Sequence, residues 1–194
     1  MEMLSKLLNY LKRFWKFLGE DSLASWVANV VVAFIVIYFI VYPLFGFLFS
    51  TSLPIVAVVS SSMEHNSYNL NDWWAIKENE YKRYNITKED FAKFKFKNGF
   101  NKGDIMVVYG VEPKDIKVGD VIIYRSTINA NPIIHRVVSI QDDAYVTKGD
   151  NNQVKDQNLV SPSQVEDTGK AVLRIPFLGW IKITFTNFIT SLRS

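Results

Sequence analysis

Cysteine is absent from the 194 residues. Disulfides, thiolate metal sites and cysteine nucleophiles are thereby excluded, and any part of the chain outside a cell has to be stable without covalent cross-links. Histidine is scarce. His65 and His135 are the only two, so a histidine general base has just two candidates. A basic stripe with interleaved aromatics is also missing, and the net charge of +3 is small; both argue against a nucleic-acid partner. Charge itself is missing over one long interval, since no Asp, Glu, Lys or Arg occurs from Ser22 to Ser62.

That interval reads as a membrane anchor. Trp26 to Phe49 is almost wholly apolar and exceeds the ~20 residues that cross a bilayer. A cleaved signal peptide has a shorter apolar region. Trp26 and Tyr42 lie near the ends, where amphipathic rings favour the interface. Pro43 and Gly46 are expected to end or kink the helix near the far surface. Before it, residues 1–21 carry Leu4, Leu7, Leu8, Leu11, Trp15 and Leu18 at helical spacing, with Lys6, Lys12, Arg13 and Lys16 between them. This pattern predicts an amphipathic helix on a membrane surface. The same cations place the N-terminus in the cytoplasm and the rest of the chain, after a single pass over 22–50, on the outer side.

Residues 64–102 differ in texture, being rich in Asn, Lys, Tyr and Trp. They read as an insertion with a helix, packed through Trp73 and Trp74. Thr87 before Lys88-Glu89-Asp90 is a helix N-cap with acids in the first turn. Asn85-Ile86-Thr87 is the chain's one match to the N-glycosylation acceptor pattern. From Gly103 the chain becomes β: 105–109, 121–124, 133–138 and 144–147 are short β-branched runs between Gly, Pro, Asp and Asn clusters. The spacing predicts a mainly β domain over 51–174, built on an antiparallel sheet, barrel or sandwich. Gly103-Asp104 and Gly119-Asp120 are turn signatures before strands. The apolar tail, 175–194, is short for a span and carries Lys182, which favours an interfacial helix.

The chemistry is expected at the end of the run Val56-Ala57-Val58-Val59, where Ser60-Ser61-Ser62 precede Met63. A serine hydroxyl is a weak nucleophile and needs a base within hydrogen-bond reach. His135, in the strand-like Ile133-Ile134-His135-Arg136, is the stronger candidate; His65, three residues after Ser62, is less well held. A carboxylate has to fix the imidazole's tautomer, and the Gly/Asn loop after the fourth run offers Asp150 and Asp156. A cation site in that loop would be poorly supplied with charged ligands.

In this order, Ser60-Ser61-Ser62-Met63-Glu64, Gly103-Asp104-Ile105-Met106-Val107, Gly119-Asp120-Val121-Ile122, Ile134-His135-Arg136-Val137 and Lys148-Gly149-Asp150-Asn151-Asn152 with Asp156 resemble the boxes of type I signal peptidases. The branch resembled is the archaeal and endoplasmic-reticulum one, in which histidine replaces the bacterial catalytic lysine. The resemblance implies a signal peptidase/LexA-like β domain. It implies that Ser62 is the nucleophile, His135 the general base, Asp156 the triad acid and Asp150 a second, supporting acid. Ser60 and the backbone N–H of Ser62 are implied to form the oxyanion hole. No cofactor and no metal are implied. The implied substrate is the signal peptide of an exported preprotein, cut at the cell membrane, with the lipid bilayer and the translocation machinery as further partners. Three departures stand out: Ser61 where the family has Gly, His65 where it has Pro, and the long insertion. The rival expectations are a non-catalytic membrane-anchored β-domain that binds a partner, and a metal-dependent hydrolase using His135, Asp150 and Asp156.

Overall fold

The computed structural model describes residues 2–126, 131–166 and 168–191; the last three residues of the expected tail segment lie outside these. The chain divides into two units between Phe45 and Gly46.

In the first unit, α1 (Glu2–Leu18) buries none of its residues. Its terminal carbonyl, on Leu18, accepts from Ser25 Oγ at 2.9 Å and Asn29 Nδ2 at 2.8 Å, so orphaned helix-end acceptors are satisfied by the next helix. Ser22 caps that helix by accepting from Ser25 N. The apolar helix runs continuously from Leu23 to Leu48, long and apolar enough to cross a bilayer by length and composition. It comprises α2 (Leu23–Val36), a π-helical turn over Ile37–Val41 and α3 (Tyr42–Leu48). Of the end or kink expected at Pro43 and Gly46, no end falls at Pro43, and the helix closes at Leu48, two residues past Gly46. The proline lies inside the helix, and the π turn just before it supplies the wider spacing that its ring and missing N–H require. The Tyr42 N–H accordingly reaches five residues back, to the carbonyl of Ile37.

The second unit is built on one antiparallel sheet of β1 (Ile55–Ala57), β2 (Ile105–Tyr109), β3 (Val121–Tyr124), β4 (Ile133–Gln141), β5 (Ala144–Lys148) and β6 (Gly169–Ile175), in the order β1-β2-β6-β3-β4-β5. β6 is the strand that β-branched runs did not reveal: Gly169, Lys170, Ala171 and Arg174 disguise it. Its small residues fit where it is placed, since a Cβ on Gly169 would lie 2.2 Å from the Tyr109 carbonyl oxygen.

Both faces of the sheet's centre are covered. Val121 and Ile123 of β3 join Val58, Met63, Phe100, Met106 and Val108 on one side. Ile122 and Tyr124, alternating with them, pack with Val137, Tyr145, Val160 and Val165. This is the period-2 alternation of a strand buried twice over. The insertion supplies a third cluster. Helices α4 (Leu70–Lys82) and α5 (Lys88–Phe91) bring Trp73, Trp74, Tyr81, Ile86 and Phe91 onto Val138 and Val146. Thr87 caps α5 in a reciprocal capping box with Asp90, and Asn85 is exposed in the turn before it. Towards the C-terminus lie a short α6 (Pro162–Glu166) and α7 (Trp180–Ser191), which buries Ile183 and leaves Ile181, Phe185 and Phe188 exposed.

Phe91 is wholly buried, with Trp73, Trp74, Tyr81 and Phe94 of the insertion around it. Phe91→Ala should cost about 3–5 kcal/mol, read as a lower denaturant midpoint. Val154→Ala, on the surface, should stay within about 0.5 kcal/mol of the parent.

Candidate functional site

The loop after β1 is held from two sides. Its anchor is Met63, buried in the core, whose carbonyl accepts from Phe100 N at 3.0 Å. The loop after β5 grips the other side: Asn151 donates its backbone N–H to the Ser62 carbonyl at 2.8 Å and its side-chain amide to the Ser61 carbonyl at 3.2 Å. Of the three serine hydroxyls, the one next to the buried methionine is thus the best fixed. β1 and β5 are the two ends of the sheet order, so these loops close the curled sheet at a seam.

His135 stands at that seam. Its Nε2 lies 3.0 Å from Ser62 Oγ and its Nδ1 2.7 Å from Asp156 Oδ2. An ionised Asp156 can only accept, so Nδ1 carries the proton and Nε2 accepts from the serine. Asp156 Oδ2 also accepts from Thr147 Oγ1 at 2.6 Å and Tyr124 OH at 2.8 Å. Register explains this convergence. Ile133 opposes Tyr124 and Val137 opposes Thr147, so both donors flank His135 on its own face of β4. Burial pushes the Asp156 carboxyl up, but the hydrogen bonds from His135, Thr147 and Tyr124 prevail and hold it below the usual carboxylate range. Ser60 Oγ is 3.1 Å from Ser62 Oγ. Beside the serine lies an open cleft of about 440 Å³, lined among others by Val56, Val59, Pro132, Ile134 and His135.

Asp150 is not part of this line. Arg136 donates Nε to its Oδ1 at 2.9 Å and a terminal NH to its Oδ2 at 2.7 Å. Tyr81 OH donates to Oδ1 at 2.8 Å, and His65 Nε2 is 3.0 Å from Oδ2. Burial would raise this carboxyl, yet Arg136 first and His65 after it hold it well below the usual range. His65 is consequently engaged elsewhere: buried, and stacked on Trp73 at 3.8 Å, it is aimed at Asp150 and not at the serine. The expected metal triad of His135, Asp150 and Asp156 is also separated, and among the described residues no three His, Cys, Asp or Glu side chains group as a metal site. Tyr124, Thr147, Asn151 and Arg136 were not foreseen as site residues. A strand register would have pointed to the first two.

No protein-family model matches the chain. Among curated proteins it is similar to the human "Signal peptidase complex catalytic subunit SEC11C", with 26% identity over 99 residues, covering 46% of this chain and 52% of that one. It is 32% identical over 94 residues to "Signal peptidase complex catalytic subunit SEC11" of Lodderomyces elongisporus, and 34% identical over 94 residues to the protein of that name in Candida dubliniensis; each match covers 43% of this chain and 56% of the relative. Over these stretches the chain is similar to signal peptidase catalytic subunits. It spans about half the length of the curated relatives it matches.

Asp150→Ala would leave the Arg136 guanidinium buried without its counter-charge, which should cost about 3–5 kcal/mol. Because the folded carboxyl is held below its unfolded value, the contribution of Asp150 is present above about pH 4 and is lost as pH falls through the lower folded value. Denaturant unfolding of parent and variant should therefore differ at neutral pH and converge in strong acid.

Proposed function

We propose that the chain is a membrane-bound serine endopeptidase that removes N-terminal signal peptides from exported preproteins. The observation that carries this is the hydrogen-bonded line Ser62–His135–Asp156 beside an open cleft. The similarity to signal peptidase catalytic subunits supports the substrate class. In this account Ser62 Oγ attacks the scissile carbonyl as His135 Nε2 takes its proton. The imidazolium so formed is stabilised by Asp156. It then protonates the leaving amine, and water, activated by the same histidine, releases the acyl group from Ser62. The Ser62 N–H and the Ser60 hydroxyl receive the oxyanion charge, the hydroxyl turning from Ser62 Oγ towards the tetrahedral oxygen. The outer edge of β1, which no described strand pairs, receives the substrate as an added extended strand.

The remaining assignments are proposals of the same kind. Residues 1–21 lie on the cytoplasmic face of the cell membrane and 22–50 cross it once. Residues 51–174, with the insertion 64–102, form the extracytoplasmic peptidase domain. Residues 175–194 rest at the interface, Asp150 supports the site through the fold, and Asn85 is a glycan acceptor. An archaeal-type enzyme working beside the translocation machinery fits this arrangement.

Incubation of the purified chain with a preprotein should yield the mature product. Ser62→Ala and His135→Ala should each remove essentially all of it, and Asp156→Asn should lower the rate by about 10⁴. Ser60→Ala should lose roughly 10²–10³ and so retain measurable cleavage. Product from Ser62→Ala at the parental rate would eliminate the proposed nucleophile, while loss of activity to a chelator would favour a metal-dependent hydrolase. A folded chain that binds preproteins without cutting any would favour a binding module.

A further inference from the structure

The loop that holds Ser62 is itself held, and the hold comes from the insertion. We propose that α4 is a positioning strut for the nucleophile, with Lys77 and Glu80 as positioning residues that act through Lys148 and the 149–151 backbone. The inference rests on the peptidase assignment for its kinetic consequence, but not for its structural one.

Two consecutive peptide units carry it. In a trans peptide the carbonyl of one residue and the N–H of the next point in opposite directions. The carbonyls of Gly149 and Asp150 both accept from Lys148 Nζ, at 3.0 and 3.4 Å. The N–H groups on the far sides of those units meet the serine loop. Asp150 N approaches Met63 Sδ at 3.4 Å, and Asn151 N donates to the Ser62 carbonyl at 2.8 Å. The next carbonyl, on Asn151, accepts from Lys77 Nζ at 3.2 Å. The first two units are thus fixed by an ammonium on one side and present their amides to Met63 and Ser62 on the other, while the third, held by Lys77, turns its Asn152 N–H back onto the Gly149 carbonyl at 3.0 Å and closes the loop.

The ammonium groups are aimed by α4. Glu80 pairs with Lys77 at 3.0 Å and with Lys148 at 2.8 Å, and Lys148 is only 1% exposed. Positions 77, 80 and 81 fall on one helix face, and Tyr81 adds the hydrogen bond to Asp150. Docking of the helix does not need these polar contacts, because Trp73, Trp74 and Tyr81 already pack it onto β4 and β5. Removing lysine charges from water is costly, and here both converge on the backbone of one short loop. Tolerance in that loop is small: a Cβ on Gly149 would lie 2.8 Å from the Ser62 carbonyl oxygen.

The test uses the full chain with Lys77→Met, Glu80→Ala and Glu80→Gln, followed by preprotein kinetics and by amide hydrogen exchange. Lys77→Met and Glu80→Ala should lower kcat by on the order of 10–100-fold with KM within about twofold. Exchange at 149–152 should quicken while the β2 and β6 amides keep their protection. Glu80→Gln, which retains an acceptor for Lys148, should recover most of both. If Glu80→Ala does not fold, Lys77→Met alone decides, since it leaves the Glu80–Lys148 pair in place. Parental kcat together with parental protection at 149–152 would overturn the strut. A parent chain that cuts no preprotein would remove the peptidase assignment, and the exchange result would then stand or fall by itself.

Discussion

A single backbone hydrogen bond, from the Asn151 N–H to the Ser62 carbonyl, joins the two ends of the sheet at the place where the chemistry is proposed. β1 and β5 never pair with each other. Without the loops that follow them, the serine would sit on one edge of the domain and its histidine four strands away in the sheet order. The net worth of one such bond is about 1 kcal/mol. It holds because Met63 is buried on one side and Lys148 and Asp150 are buried on the other.

Two histidine–carboxylate pairs draw their acids from the same loop after β5 and do different physical work. His65–Asp150 is sealed from water, doubly anchored by Arg136 and stacked on Trp73. Such a pair is costly to break and, being buried, is out of reach of a substrate. His135–Asp156 keeps part of its carboxylate accessible and opens onto the cleft. The contrast explains why adjacent residues diverge: His135 and Arg136 point to opposite faces of β4, and each collects the acid that its own face supplies.

Much of this was legible in the sequence where the signal is local. The four β-branched runs between turn residues are strands, Thr87 is a helix cap, and Leu23–Leu48 within the charge-free interval is a long apolar helix. What was not legible is non-local. β6 lacks a β-branched run and inserts between β2 and β3, and nothing in its local pattern announces that position. Tyr124 and Thr147 look like ordinary strand residues until register places them on the His135 face. The link between His65 and Asp150 spans 85 residues, so the replacement of a family proline by His65 read as a local departure when it is one partner in a buried network. At Pro43 the local rule holds, and the π turn before it accommodates the ring without ending the helix there.

The most direct measurement of the central claim is the imidazole proton and nitrogen spectrum of His135 in the intact chain. The account predicts a strongly deshielded, slowly exchanging proton on Nδ1, lost in Asp156→Asn, and an Nε2 resonance that moves in Ser62→Ala. An Nδ1 proton in free exchange with water, indifferent to both substitutions, would contradict it.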